Sequence, residues 1–328
     1  MAANYGLPYL GSKSSISEWV VDHFPEADNY YELFAGGCAA THVAILSSKF
    51  KNYYVNDWEN TVQTFIDAVN GKYETEDRWI SREDYNRLKE DDLYVRYVWS
   101  FSATGKSYMY GAKVEQFKRA LHYLLFFKDN QPFKDLGIDV PVPEWDSLEE
   151  RYTSWRNYYN NYPSAFAEFE KSCSEDIVDR FDVLESMNGL LRFRSMHSLK
   201  PYFKSEEFHI FKGDYRNVPI TTEDNFFYLD PPYENTAGYV SGDFDHRAFY
   251  NYIIDELVPK SKLVMISEYQ CSDDRFVCIA RIKKRKNLGI SNSNRSYEDQ
   301  FTTECLFIPK AQVEWYKNNC IVDWSGDL

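Results

Sequence analysis

The sequence has no apolar run of about eighteen residues, the length a helix needs to cross a bilayer, so no transmembrane helix is expected. Residues 1–9 carry neither a charged start nor an apolar signal core. The six cysteines (Cys38, Cys173, Cys271, Cys278, Cys305 and Cys320) are scattered and form no C-x-x-C pair. That disfavours a disulfide framework and a structural zinc site, and makes a reducing cytoplasm the expected compartment. The histidines (His23, His42, His122, His197, His209, His246) show no ligand spacing, so no metal is expected. Internal repeats and low-complexity stretches are lacking. Positive charge is also scarce: 37 Lys and Arg stand against 51 Asp and Glu, for a net charge of −14. Taken alone, that balance argues against a nucleic acid partner.

What the chain does have is length and aromatic rings. Its 328 residues imply one large domain or two of ordinary size, and 44% hydrophobic with 27% charged residues is a globular composition. Aromatics reach 18%, with 27 Tyr, 23 Phe and 8 Trp, enough to fill a core and leave rings for stacking.

The first ninety residues alternate. Tyr30 to Phe34 is a β-rich run ending at Gly36-Gly37, and Cys38 to Ser48 suits a helix packed closely on a sheet. Tyr53 to Val55 is a second strand ending in Asn56-Asp57, and Glu59 to Val69 is a second helix, with Val62, Phe65, Ile66 and Val69 at helical spacing. This is a βαβ unit. From about Glu90 to Lys204 the rhythm is lost, and several segments read as helical, notably Lys113 to Phe127. Alternation returns near Phe208, with strands at Phe226 to Leu229 and Leu263 to Ile266. The expected fold is α/β, a Rossmann-like sheet built from residues 1–90 and 205–328 and interrupted by a mainly helical insert, 91–204.

Glycines after a strand allow close backbone approach to a ligand. Asp57 lies 21 residues after Gly36, near the spacing at which a carboxylate reaches ribose hydroxyls. No phosphate-cradling glycine run follows, so a nucleoside fits better than a dinucleotide. A plain strand-to-helix turn with a surface acid gives the same pattern, and both readings stand at this point. Asp230-Pro231-Pro232-Tyr233 is more specific. Two prolines cannot continue a sheet ladder, so a stiff loop must end the strand at its C-terminal edge, where open α/β sheets place ligands. Its acceptors and its ring, held at fixed offsets, fit an amino group on a flat heterocycle.

Tyr9-Leu10-Gly11-Ser12-Lys13, Glu32 to Ala39, Asn56-Asp57 and Asp230 to Tyr233, in that order, resemble Dam-type DNA adenine methyltransferases, the alpha group of amino-methyltransferases. One departure is visible: the family pattern F-x-G-x-G wants glycine where this chain has Cys38. The resemblance implies S-adenosylmethionine as cofactor, leaving as S-adenosylhomocysteine, with no metal. It implies that Tyr9 and Lys13 border the cofactor pocket, that Phe34, Gly36 and Gly37 form its floor, and that Asp57 binds the ribose. Gly213-Asp214 would lie near the cofactor adenine. Asp230, Pro231, Pro232 and Tyr233 would hold a flipped target adenine in double-stranded DNA, Asp230 would also contact the cofactor, and the insert would recognise the target sequence. A monomer is compatible with this reading.

The acidic balance then requires local basic surface. Arg281, Lys283, Lys284, Arg285 and Lys286 form a dense run, expected on a loop after a core strand near the active edge. Arg192, Arg194, His197, Lys200 and Lys204 form a second cluster, and Lys106 and Lys113 flank the Gly105 loop. Of these, Lys106, Arg192, Arg194, Lys283, Lys284, Arg285 and Lys286 are the expected DNA contacts, with a solvated face as the other reading of the 281–286 run. Two further functions remain open: a silent DNA-binding protein on the same scaffold, and an amino-methyltransferase acting on RNA or cytosine N4. Intact Lys13, Asp57 and Asp230 argue against the first, and Asp rather than Ser at position 230 favours adenine.

Overall fold

The computed structural model describes residues 5–9, 11–173, 181–221, 224–234, 244–285 and 301–320. The chain divides into two units: Met1–Lys72 with Met196–Leu328, and Tyr73–Ser195.

The first unit is built on a seven-stranded sheet of order β3-β2-β1-β4-β5-β7-β6. Its strands are β1 (Asn29–Glu32), β2 (Asn52–Asp57), β3 (Phe208–Lys212), β4 (Asn225–Leu229), β5 (Leu263–Glu268), β6 (Phe276–Arg285) and β7 (Phe301–Pro309). Strands β1 to β5 run parallel, while β7 is antiparallel to both β5 and β6. Helices α1 (Ser17–Asp22), α2 (Ala39–Ser47) and α3 (Thr61–Val69) belong to its N-terminal part. β1 pairs with β2 on one side and β4 on the other, so the strand order reverses there. Such a switch point opens a crevice at the carboxyl ends of the strands.

The buried runs lack in–out alternation because both faces of the parallel sheet are covered: every residue of β1, β4 and β5 is buried. Rings stack from strand to strand along one face. His209 lies 4.6 Å from Tyr54, Tyr54 4.4 Å from Tyr31, and Tyr31 4.6 Å from Phe227, all near parallel. The register makes this possible, because Tyr31 stands opposite both Tyr54 and Phe227. On the other face, Phe24 meets Phe226 and Tyr228, and Tyr30 meets Phe50.

Two features differ from the sequence expectation. β1 ends at Glu32, so Leu33 and Phe34 belong to the following loop. Residues 281–285 lie within β6 rather than on a loop, paired to β7 from Arg281↔Cys305 to Arg285↔Phe301. Alternation explains it: Arg281 and Lys283 face solvent, while Ile282 and Lys284 turn inward. A charge run read as a block hides that period of two. Lys286 and the Arg285 side chain lie outside the described residues.

The second unit is mainly helical, with α4 (Arg82–Leu88), α5 (Leu93–Val98), α6 (Glu115–Phe127), α7 (Gln131–Asp135), α8 (Leu148–Asn161), α9 (Ala167–Cys173) and α10 (Glu185–Ser195). Ser81 and Asp92 cap α4 and α5 by accepting from backbone N–H groups. Residues 73–90 pack within this unit: Tyr73 stacks on Tyr94, Tyr85 meets Tyr108, and Arg82 pairs with Glu115. Its core gathers Phe117, Phe133, Trp155 and Phe166. Lys118 is fully buried, yet it donates to the Val183 carbonyl at 2.7 Å and pairs with Glu185 at 2.9 Å.

The ring row yields a stability test. Tyr31→Ala removes the central ring of the row, and its cost should be about 3–5 kcal/mol. Tyr31→Phe keeps the stacking but leaves the Thr221 N–H without the phenolic acceptor it has at 2.9 Å, for a loss of about 1–2 kcal/mol. Urea denaturation of the three proteins should rank them in that order; equal midpoints would remove Tyr31 from any structural role.

Candidate active site

Two groups of residues form at the carboxyl ends of β1, β2 and β4, all within the sheet unit. The first surrounds the turn after β1. Gly36 takes φ +49°, and a Cβ there would lie 3.1 Å from the Tyr9 ring; one on Gly37 would lie 2.8 Å from the Leu7 carbonyl oxygen. The glycines therefore admit the chain's own N-terminal segment, which is tied down by the Leu7 N–H donating to the Gly37 carbonyl at 2.6 Å. Cys38, where the resemblance wanted glycine, is buried and left-handed at φ 58°, ψ 34°. The position demands the glycine conformation even without glycine.

Asp57 binds this turn from β2. Its carboxylate accepts the Gly36 N–H at 2.7 Å and the Glu59 N–H at 3.0 Å. Its carbonyl accepts the Gly213 N–H at 2.8 Å, and the Asn56 amide donates to the carbonyls of Leu33 and Gly213. Glycine turn, Asp57 and Gly213 are thus one hydrogen-bonded cluster. Asp57 is buried rather than surface-facing, and burial holds its carboxyl above the ordinary value despite these N–H donors. Trp58, beside it, is 58% exposed. The Asp214 carboxylate accepts from the backbone and guanidinium of Arg216. Phe34 packs with Tyr215, Phe244 and Phe249.

The second group surrounds Asp230 to Tyr233 at the end of β4. The Lys13 ammonium donates to both carboxylate oxygens of Asp230 at 2.7 Å and lies 4.6 Å from the Tyr233 ring centre. The loop is fastened at each step. His246 bonds the Pro232 carbonyl at 2.8 Å, the Tyr233 hydroxyl donates to Glu304, and the Glu234 N–H donates to Glu268 at 3.1 Å. Tyr269 meets Tyr233 edge-on at 4.6 Å. Burial raises the Asp230 carboxyl above the ordinary value, opposed by Lys13 and reinforced by Glu304.

Sequence reasoning missed Glu304, Glu268, Glu32 and His246. The signal for Glu304 was a single acid directly before the apolar run Cys305 to Ile308, on a strand that should face a core. Among the expected phosphate contacts, Lys284 instead turns inward and pairs with Glu304 at 2.9 Å. Lys283 and Lys106 are exposed. Arg194 donates to the Glu76 carbonyl at 2.6 Å and lies over the Phe126 ring, and Arg192 is half-buried, with its pKa lowered to about 10 by burial. Among the described residues no group of three or more His, Cys, Asp and Glu could hold a metal ion, and no helix is long and apolar enough to cross a membrane.

Residues 9–128 match the family model described as D12 class N6 adenine-specific DNA methyltransferase. The match takes in Lys13, Gly36, Gly37 and Asp57 and extends into the helical unit; Asp230 to Tyr233 lie beyond it. No curated protein matches the chain. Among solved structures, the rRNA methyltransferase aviRa from Streptomyces viridochromogenes is similar at 9% identity and a TM-score of 0.36, over 96% of this chain and 90% of that one.

Glu32, the last residue of β1, couples folding to pH. It accepts the hydroxyls of Tyr30 and Thr41, and burial pushes its carboxyl from 4.5 up to about 8. Burial likewise pushes Glu268 up to about 8. Between pH 4.5 and 8 these two carboxyls release protons in the unfolded chain that they keep in the folded one, so their contribution to stability falls as pH rises and levels off above 8. Glu32→Gln removes one of these protons from the balance. Its stability relative to wild type should improve steadily from pH 5 to 8.5 in thermal melts; a constant difference would show that Glu32 is ionised throughout.

Proposed function

We propose that this chain, an adenine-specific DNA methyltransferase of the D12 class, transfers a methyl group from S-adenosylmethionine to N6 of an adenine flipped out of double-stranded DNA. The observation that carries the reading is the Lys13–Asp230–Tyr233 cluster at the carboxyl end of β4, beside the point where the strand order reverses.

The residues around the glycine turn fit the cofactor. An acid at the end of β2, an aromatic ring over Gly36 and an exposed Trp58 supply hydroxyl acceptors and apolar faces for a nucleoside. Each Asp57 carboxylate oxygen has a further lone pair beyond the N–H it accepts, so ribose hydroxyls can bind without displacing the turn. Tyr9, Lys13, Phe34, Gly36, Gly37, Asp57 and Asp214 are the residues that would hold the group. When bound, S-adenosylmethionine supplies an electrophilic methyl group and is left as S-adenosylhomocysteine.

The chain's own residues do the rest. An exocyclic amino nitrogen is a weak nucleophile because its lone pair is delocalised into the ring. Asp230 accepts a hydrogen from it, with the Pro231 carbonyl as the second acceptor, which favours a pyramidal nitrogen with a localised lone pair. As the new N–C bond forms, positive charge develops on N6 beside the Asp230 carboxylate, which can take the departing proton. Flipping the base costs a few kcal/mol. Stacking on Tyr233 offsets about 1–3 kcal/mol of it.

The helical unit is the proposed target-recognition region. Its exposed Phe101 stands beside Ser102 and Ala103, both left-handed, on a loop that carries the exposed Lys106. With a net charge of −14, duplex contacts must be local, and Lys106 and Lys283 are exposed cations suited to phosphate. The cytoplasm is the proposed compartment.

Asp230→Asn preserves shape and removes the acceptor charge. Methyl transfer from labelled cofactor to an adenine-containing duplex should fall about 10²–10³-fold, with duplex affinity nearly unchanged. Wild-type protein that transfers no methyl group to any such duplex would defeat the reading. Independently, replacing Lys106 and Lys283 by Ala should reduce the slope of log affinity against log salt by about 1.8. An unchanged slope would return both lysines to the solvated surface.

A further inference from the structure

The Lys13 ammonium fills two places at once. It lies 2.7 Å from both oxygens of Asp230 and 4.6 Å from the centre of the Tyr233 ring. On the reading proposed above, which this inference rests on, those are the places an adenine needs: one amino hydrogen on Asp230 and its ring on Tyr233. Base and ammonium cannot share them, so capture requires Lys13 to move. Lys13 is 6% exposed. A buried ammonium displaced from its carboxylate without another is strongly unfavourable.

Glu304 offers that other carboxylate. It is fully buried on β7, and its Oε1 stands 3.8 Å from Lys13 Nζ, beyond hydrogen-bond length but a short swing away. Oε1 also accepts the Tyr233 hydroxyl, while the other oxygen, Oε2, pairs with Lys284 at 2.9 Å. We infer that Glu304 is a positioning residue onto which Lys13 swings when the target base takes Asp230, while the Tyr233 hydroxyl anchors the stacking ring to the same carboxylate. Glu304 is suited to the role because it stays ionised: burial pushes its carboxyl up, but Lys13 and Lys284 outweigh burial and hold it below the ordinary value. The reaction itself is unchanged, and no proton or bond is added to it.

Glu304→Gln keeps an oxygen for the Tyr233 hydroxyl and removes the charge. In a duplex that the wild type methylates, with the target adenine kept and 2-aminopurine as its neighbour in the same strand, the probe brightens when the target leaves the stack beside it. The variant should need at least about tenfold more protein for half-maximal brightening, the scale expected when a buried charge loses its partner. Its cofactor affinity and its transfer rate at saturating duplex should stay within about threefold of wild type, and Glu304→Asp should recover most of the brightening. Wild-type brightening in a folded Glu304→Gln variant overturns the inference while leaving the methyltransferase reading intact. Should the variant not fold, a crystal structure of the wild type with that duplex decides: Lys13 on Glu304 supports the inference, and Lys13 still on both oxygens of Asp230 overturns it. Loss of transfer in the wild type itself would instead condemn the underlying reading.

Discussion

The ion pair between Lys13 and Asp230 joins positions 217 residues apart, and it holds only if three things are true of the fold. The N-terminal segment must lie against the turn after β1, β4 must lie beside β1, and the loop after β4 must be stiff. Gly36 and Gly37 meet the first condition by admitting Leu7 and Tyr9. Parallel pairing of β1 with β4 meets the second. The tandem prolines, with His246 on the Pro232 carbonyl, meet the third. A buried pair of this kind contributes little net stability, because desolvation offsets attraction. Its value lies in geometry, since it holds the Asp230 carboxylate beside the Tyr233 ring.

The surrounding charges form a balanced set. Asp230 and Glu304 carry two negative charges, Lys13 and Lys284 two positive ones, all within the sheet unit. Lys284 arrives from an antiparallel strand added at the sheet edge, so β6 and β7 supply half of the set although they follow Asp230 in the chain. Inward and outward faces of one strand thus divide the basic run between site and solvent. The same run serves a buried carboxylate through Lys284 and leaves Lys283 at the surface.

Much of this was legible in the chain. The βαβ opening, the strand before Asp230 and the helical interruption follow from local signals: apolar period, glycine turns and prolines that stop a ladder, whereas Lys13 entered only through the resemblance to Dam-type enzymes. The extent of the helical unit is less local. Tyr73, Arg82 and Tyr85 find their partners at Tyr94, Glu115 and Tyr108, contacts that no period reveals.

The sequence by itself determined the order of elements and the chemical types at the site, because backbone preference and side-chain chemistry act over a few residues. Only the tertiary structure decided which groups face one another. Glu304 reads as a stray acid in a strand until β7 lies against β5 and aims it at Lys13 and Tyr233. Cys38 reads as a departure from a glycine pattern until its left-handed backbone shows that the turn is imposed by its neighbours. In each case a contact between distant segments fixes the role, and long-range pairing is set by the packing of the whole sheet rather than by any window of the chain.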